Sequence, residues 1–357
     1  ATAMGLPGAQ ARFDWVKLFG EPARRRQRQL AAAVHEKKHE ELLTSASTAA
    51  RADIRSAGGS GAGLFLLPPE EESHVMSDAH LAAALRRRLR FPSAACRVAP
   101  TVPSHCNHRP RTGGICGAQL DALDFHAGTC ECGGGVIQRH NAIRDWLEAW
   151  IARLTGRPTD TEEYVVAWNR PATDAAGQPV WEEAAPGPRR LEGAVLVDVQ
   201  GYPVDADGYR VSRTTGERVQ KVERAKLDVA FIDGEGRRAY ADVAVTSAAT
   251  TSAANLAKRA RTDGSAASDM VRTKKSKYPQ HKSPATPMVP FVVEALGRLS
   301  PEAHGLLGAV APADKKVRSQ VLRTAKQTLS VLVQTGLAEL LLSAEPGRGV
   351  PAPAAAA

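Results

Sequence analysis

Apolar and polar residues alternate along two short segments, Lys226 to Ile232 (KLDVAFI) and Arg238 to Val245 (RAYADVAV), on either side of the turn-forming run Asp233-Gly234-Glu235-Gly236. This pattern predicts a β-hairpin. A tight loop centred on Glu235 pairs Ile232 with Arg238, and stepping back along both strands sets Asp228 opposite Asp242 on one face. Elsewhere the period is helical. Ile143, Trp146, Leu147, Trp150, Ile151 and Leu154 recur at three-to-four spacing within Val136 to Gly156, which predicts an amphipathic helix ended by glycine. Ser77 to Arg90 predicts a helix capped by Ser77 and stopped before Pro92, with Leu81, Leu85 and Leu89 on one face and arginines on the other. Pro22 to Ala50 reads as one long solvated helix, Gly58 to Gly63 as a flexible break, and Leu64 to Leu67 as a short apolar run.

Past the hairpin, Thr251 to Arg261 and Ser268 to Lys277 predict two helices broken at Gly264, and Met288 to Ala295 (MVPFVVEA) a buried strand. Ser300-Pro301 opens a further helix, and Asp314 to Ser343 a long one. Between Arg157 and Arg224 the chain is rich in Pro, Gly and Asp; it reads as irregular or inserted, with short strands at Tyr164 to Trp168 and Ala194 to Val199. No internal repeat is read. The tail GRGVPAPAAAA is expected to be disordered.

Two facing carboxylates repel, since cross-strand neighbours lie about 4.5–5.5 Å apart at Cβ. A hard divalent cation such as Mg²⁺ offsets this and can activate water against a phosphodiester. The cluster Lys274, Lys275, Lys277 on the following helix supplies an ammonium for charge developing on phosphate. The plainer alternative is an exposed hairpin edge with solvated acids and a surface lysine run.

The chain has 357 residues, a formal charge of +9 and only 5% aromatic residues. Length suggests about two to three domains, and the core must rest on Leu, Val, Ile and Ala. The positive charge favours an anionic partner such as nucleic acid. It is clustered at Arg24 to Arg28, Arg87 to Arg90 and Arg259 to Lys282. All five cysteines, Cys96, Cys106, Cys116, Cys130 and Cys132, fall in one segment with histidines. That set suits metal binding in a reducing compartment better than a disulfide framework. Cys106, Cys116, His126 and Cys130 are the candidate zinc ligands, with nine, nine and three residues between them. His-x3-Cys is a sound half-site, while nine residues exceed the two to four of a tight knuckle; His105, His108, Cys132 and Cys96 remain alternatives. No window has the roughly 18 apolar residues of a membrane span, and no compact apolar signal core opens the chain. Starting at Ala1, the sequence is expected to be a piece of something longer.

The run GICGAQLDALDFHAGTCECGGGVIQRHNAIRDWL, followed by KLDVAFID, YADVAVTS, KKSKYP and VPFVVEALG, resembles the C-terminal portion of non-LTR retrotransposon polyproteins that carry a restriction-enzyme-like endonuclease. The resemblance covers Ser77 to Gly308 and lies in the order of the blocks. It implies an α+β fold: a helical N-terminal segment (1–92) that would follow a reverse transcriptase outside this chain, a small Cys/His zinc knuckle (93–135), a PD-(D/E)xK-like mixed sheet flanked by helices (136–299), and C-terminal helices with a tail (300–357). It further implies structural Zn²⁺ on the knuckle and catalytic Mg²⁺ on Asp228 and Asp242. Arg139 and His140 match a basic-His pair and imply nucleic-acid contacts. Leu227 stands where the family has proline, and Ala244 where a D-x-K motif has lysine; in such nucleases the lysine moves to the next helix, which points to Lys274 or Lys277. Glu162 or Glu163 would correspond to an upstream helix acid. The implied activity is Mg²⁺-dependent nicking of DNA in the nucleus, with element RNA as a further partner. The alternative is a zinc-containing nucleic-acid-binding remnant that no longer cuts.

Overall fold

The computed structural model describes residues 23–92, 104–110, 113–121, 123–278 and 285–345. Cys96, Lys282 and the tail lie outside them, as do the side chains of Arg24, Arg25 and Arg26. In chain order the elements are α1 (Ala23–Ser45), α2 (Thr48–Ala57), α3 (Asp78–Arg88), α4 (Phe125–Thr129), α5 (Gly135–Thr155), β1 (Thr159–Tyr164), β2 (Arg170–Pro171), β3 (Arg190–Glu192), β4 (Val195–Val197), β5 (Val222–Glu223), β6 (Lys226–Ile232), β7 (Arg238–Thr246), α6 (Ala253–Arg259), α7 (Ser265–Lys277), β8 (Met288–Glu294), α8 (Pro301–Val310) and α9 (Lys315–Ala344). The architecture is α+β: N-terminal helices, a small Cys/His cluster, a mixed sheet with flanking helices, and a C-terminal helix. The expected first helix is split, because Ser47 caps a new helix through the Ala50 amide. No described helix is long and apolar enough to cross a membrane.

The main sheet has the order β1-β6-β7-β8. β6 pairs antiparallel with β7, Ile232 opposite Arg238 and Val229 opposite Ala241, the register expected from the turn. On its other side β6 pairs antiparallel with β1. The hairpin is therefore the inner part of the sheet rather than an exposed edge. Tyr240 donates its amide to Pro287, and Ala295 donates to Thr246. Numbers rising together on both strands make β7 and β8 parallel, and such a pair needs a long crossover, which α6 and α7 supply.

The chain divides into two compact units, one of Ala1–Ile143, Ala244–Thr273 and Pro290–Ala357, the other of Arg144–Val243 and Lys274–Val289. The first is built on α9, whose buried Leu329, Val331, Val333, Leu337, Leu340 and Leu341 meet α3, the 3-10 turn Leu64–Leu66 and α4. Here α3 departs from the sequence reading. Leu89 is 60% exposed, whereas Arg87 is buried on Asp53 at 2.9 Å, Arg90 reaches the same carboxylate, and Arg88 donates to the carbonyls of Ala62 and Ala57. The arginines stitch this unit together, since pairing offsets much of the cost of burying a guanidinium. A surface phosphate would find them already engaged.

In the second unit the stretch from Thr173 to Gln220 holds an internal repeat that the sequence reading missed. Thr173 bridges Pro179, Val197 bridges Pro203, and Val204 bridges Arg210, each six residues on, as Ile232 pairs with Arg238. Asp174, Asp198, Asp205 and Asp233 each start the turn, the glycine three residues later donates back to that Asp carbonyl, and the residue four later donates to the Asp side chain. Those glycines, 177, 201, 208 and 236, all have φ between +78° and +93°, where a Cβ is penalised. The motif Asp-x-x-Gly thus recurs four times, and the main hairpin is its last copy. Neighbouring copies interlock: Arg210 lies 4.1 Å over the Tyr202 ring and bonds Asp198, and Arg218 lies 4.6 Å over Tyr209 and bonds Asp205.

Candidate metal centre and acid pair

Cys106, Cys116, His126 and Cys130 converge in the first unit, their ligand atoms all within 4.8 Å of one another. The nine-residue interval is bridged by a short ribbon. Cys106 donates its amide to Ala118, Gly117 donates to Cys106, Cys116 donates to His108, and His105 bridges Gln119. This ribbon lays the first two thiols side by side, as close sequence spacing does in a tight knuckle. The second half comes from α4, whose entry residue Asp124 has φ +55° and whose His126 amide is capped by Asp121; Cys130 follows at its end. Cys106 Sγ is 3.8 Å from Cys130 Sγ, and Cys116 Sγ is 3.3 Å from His126 Nε2. With Zn–S near about 2.3 Å, tetrahedral ligands sit about 3.5–3.8 Å apart, so the donor set fits one zinc ion. Of the alternatives, His108 gives Nε2 to the Leu340 carbonyl and Ser343 hydroxyl, and Cys132 packs beside the cluster without joining it.

The thiols differ in proton affinity. Burial pushes Cys106 and Cys130 up, whereas the Ala118 amide, with His126 and Cys130, brings Cys116 down to about 7 against the opposing effect of desolvation. The cluster packs on Leu120, Leu296, Leu337, Leu341 and Ala344. Gly128 admits Leu337 at 3.0 Å from where a Cβ would stand. The metal centre is thereby tied to the end of α9.

In the second unit, carrying the β6–β7 register one residue past Val229 and Ala241 brings Asp228 opposite Asp242. Asp242 is 3% exposed and Asp228 half-buried, so these are not solvated edge acids. Asp228 Oδ2 accepts the Val243 amide at 2.7 Å, and Asp242 Oδ1 accepts Lys274 Nζ at 2.8 Å. The other oxygen of Asp242 is buried without a hydrogen-bond partner among the described residues. Burial pushes the Asp242 carboxyl up to about 6; Lys274 opposes the rise and Asp228 adds to it. Tyr278, reaching the Lys226 carbonyl at 3.4 Å, is pushed up to about 12 by burial and the two acids. Lys277 instead lies 5.1 Å over the Tyr278 ring.

Other expected residues fall elsewhere. Arg139 is 4% exposed, its stem pressed on Gly336, with Nε and Nη1 meeting no partner among the described residues; burial lowers it to about 10. That placement leaves it little surface for a phosphate. His140 is half-buried beside Asn141. Glu162 and Glu163 sit on strand β1 rather than a helix. Glu163 holds Arg238 and accepts the Tyr240 hydroxyl at 3.0 Å; Glu162 holds Arg144 and Lys226. Sequence reasoning passed over Arg144 and Tyr278: each lies in an ordinary-looking run, and only tertiary packing brings them toward Asp228. No family model matches the chain, and no curated protein matches it either.

Proposed function

We propose that the chain is a Mg²⁺-dependent DNA-nicking endonuclease of the restriction-enzyme-like kind found with non-LTR retrotransposons, acting on chromosomal DNA in the nucleus and working beside element RNA. The observation that carries this reading is the acid pair on adjacent inner strands, with Lys274 on Asp242 and a second, buried Asp242 oxygen that has no hydrogen-bond partner among the described residues. A buried carboxylate oxygen left without a donor is costly, and a hard cation would satisfy it. Asp228 and Asp242 offer only oxygen donors, which suits Mg²⁺ and not the soft-ligand zinc cluster. When bound, the ion would supply Lewis acidity and a more acidic water.

The remaining work falls to the chain. Lys274 stands where the migrated lysine of such nucleases is expected; its side chain is 20% exposed, and its ammonium is positioned to exchange Asp242 for a phosphate oxygen gaining charge. Asp228 is oriented by the Val243 amide, which turns its carboxylate toward Asp242 as a second oxygen donor for the ion. The Cys3His centre serves as a scaffold far too satisfied in thiolate ligands to act as the hydrolytic metal. A second reading, a remnant that binds nucleic acid without cutting, is favoured by Ala244 in place of the motif lysine.

Supercoiled plasmid incubated with Mg²⁺, against the same mixture in EDTA, separates the two. Asp228→Asn should abolish nicking with DNA affinity nearly unchanged, because it removes a metal ligand and no phosphate contact. Nicking that persists in the Asp228→Asn, Asp242→Asn double variant would end the endonuclease reading.

A further inference from the structure

Beside Asp228, in the same unit, three charges form a closed arrangement that the acid pair does not use. Arg144 on α5 is only 11% exposed in its side chain, and its Nη1 meets Glu162 Oε1 at 2.6 Å while Nε meets Asp145 at 2.8 Å. Lys226, at the start of β6, meets the other oxygen of Glu162 at 2.7 Å and lies 5.7 Å from the Tyr164 ring. One carboxylate therefore sits between two cations, each on its own oxygen, as a phosphate with two non-bridging oxygens would.

The backbone under that carboxylate is unusual. Thr161 pairs with Val229 and Glu163 with Leu227, so Glu162 occupies the position opposite Asp228, yet its φ is +59° in the middle of a strand. A non-glycine residue in the left-handed region of a strand is strained and persists only where its surroundings hold it. Glu162 is also the residue whose side chain makes both ionic contacts. The Glu162 side chain is 47% exposed, so an incoming anion reaches the cations by displacing an accessible group. Burial works against the Arg144 charge, but Asp145, Glu162 and Asp228 more than restore it, so the guanidinium remains a fixed cation.

We infer that Arg144 and Lys226 form a binding subsite for a nucleic-acid backbone phosphate next to Asp228, and that Glu162 occupies it until the nucleic acid displaces it. The inference deepens the endonuclease reading by naming the residues that would hold the phosphate flanking the one at the acid pair. Arg144 and Lys226 are positioning residues: they set where the backbone lies, and they take no part in bond breaking.

The test is the affinity of the full chain for a short fluorescent DNA duplex in EDTA, over a range of salt concentrations. Glu162→Gln and Glu162→Gly should each bind about threefold or more tighter at low salt and show a steeper salt dependence, by roughly the contribution of one phosphate contact. Adding Arg144→Gln to Glu162→Gln should remove the gain. Glu217→Gln, which neutralises an exposed acid elsewhere in the unit, should leave affinity unchanged. An equal gain in Glu217→Gln, a gain that survives Arg144→Gln, unchanged affinity in the Glu162 variants, or no binding by any form would each overturn the subsite. No metal or cleavage enters the measurement. A chain that gains affinity and never nicks keeps the subsite and loses the endonuclease reading; one that nicks without the gain loses only the subsite.

Discussion

Asp242 is the residue on which charge and burial meet. Its folded proton affinity is raised by burial to about 6, above the ordinary carboxylate value near 3.8. The sign follows from linkage: the folded state binds this proton more tightly than the unfolded chain, so the associated stability is full below about pH 4 and is lost as pH rises through about 6. Asp228→Asn removes a neighbour that adds to the rise, so it should bring the Asp242 titration down and flatten stability across that window. Carboxyl NMR titration of the two proteins checks this; an Asp242 that titrates near 4 in both would contradict the burial argument. Lys274 and Lys277 show how finely position acts. Three residues apart on α7, one meets a carboxylate and the other an aromatic face, and the sequence leaves the choice open because both lie within one helical turn.

Among the elements, the Asp-x-x-Gly turns are the least conventional feature. Asp198 is fully buried, and although burial works against its charge, the Ala185, Tyr202 and Gln200 amides with Arg210 hold its carboxyl well below the usual range. Asp198→Ala should therefore raise amide hydrogen exchange at 200–202 and around Arg210 while leaving the β6–β7 amides protected. Protection unchanged at Tyr202 would show that the turn holds without its aspartate. Helix against helix gives a second case. A Cβ on Gly336 would stand 2.7 Å from Arg139 Cγ and 2.9 Å from its Cβ, inside the first unit. Gly336→Ala should cost about 1–3 kcal/mol through overpacking, read from urea unfolding, despite alanine's better helix propensity. A stabilised variant would mean that Arg139 moves aside freely.

For the molecule as a whole, the Cys/His cluster and α9 are one piece of the first unit. His108 bonds the Leu340 carbonyl, Asn107 donates its amide to Ala344, and the ligand cysteines pack on Leu337 and Leu341. Protein purified without chelator should carry one zinc, and stripping it should lower the thermal midpoint and raise exchange along Leu337 to Ala344. Metal analysis that finds none, or exchange there that ignores chelation, would separate the cluster from the helix. The basic charge behaves differently from its count. Arg88, Arg259 and Arg298 donate to backbone carbonyls, and Arg87 and Arg90 to Asp53. Any salt dependence of DNA binding must then come from fewer side chains than +9 suggests.

Features set by local rules were legible in the order of residues alone. The hairpin register followed from alternation and a glycine turn, α5 and the caps of α3 and α8 from period and capping chemistry, and the His-x3-Cys half of the candidate metal site from residue type and spacing, with its first donor left open. Tertiary structure decided everything set by who lies across the gap. It turned α3 so that arginines were buried on Asp53, folded a nine-residue interval into a ribbon, put Glu162 on a strand, buried Arg139, and set Lys274 on Asp242. For Arg87, Glu162 and Lys274 the physical reason is the same. Long charged side chains satisfy themselves at whatever carboxylate or carbonyl packing brings near, and those partners lie tens to hundreds of residues away. The repeat in 173–220 is a different kind of omission: its signal was local and present, a β-branched residue, Asp, two others and Gly, but short strands of this length announce themselves only through the turns.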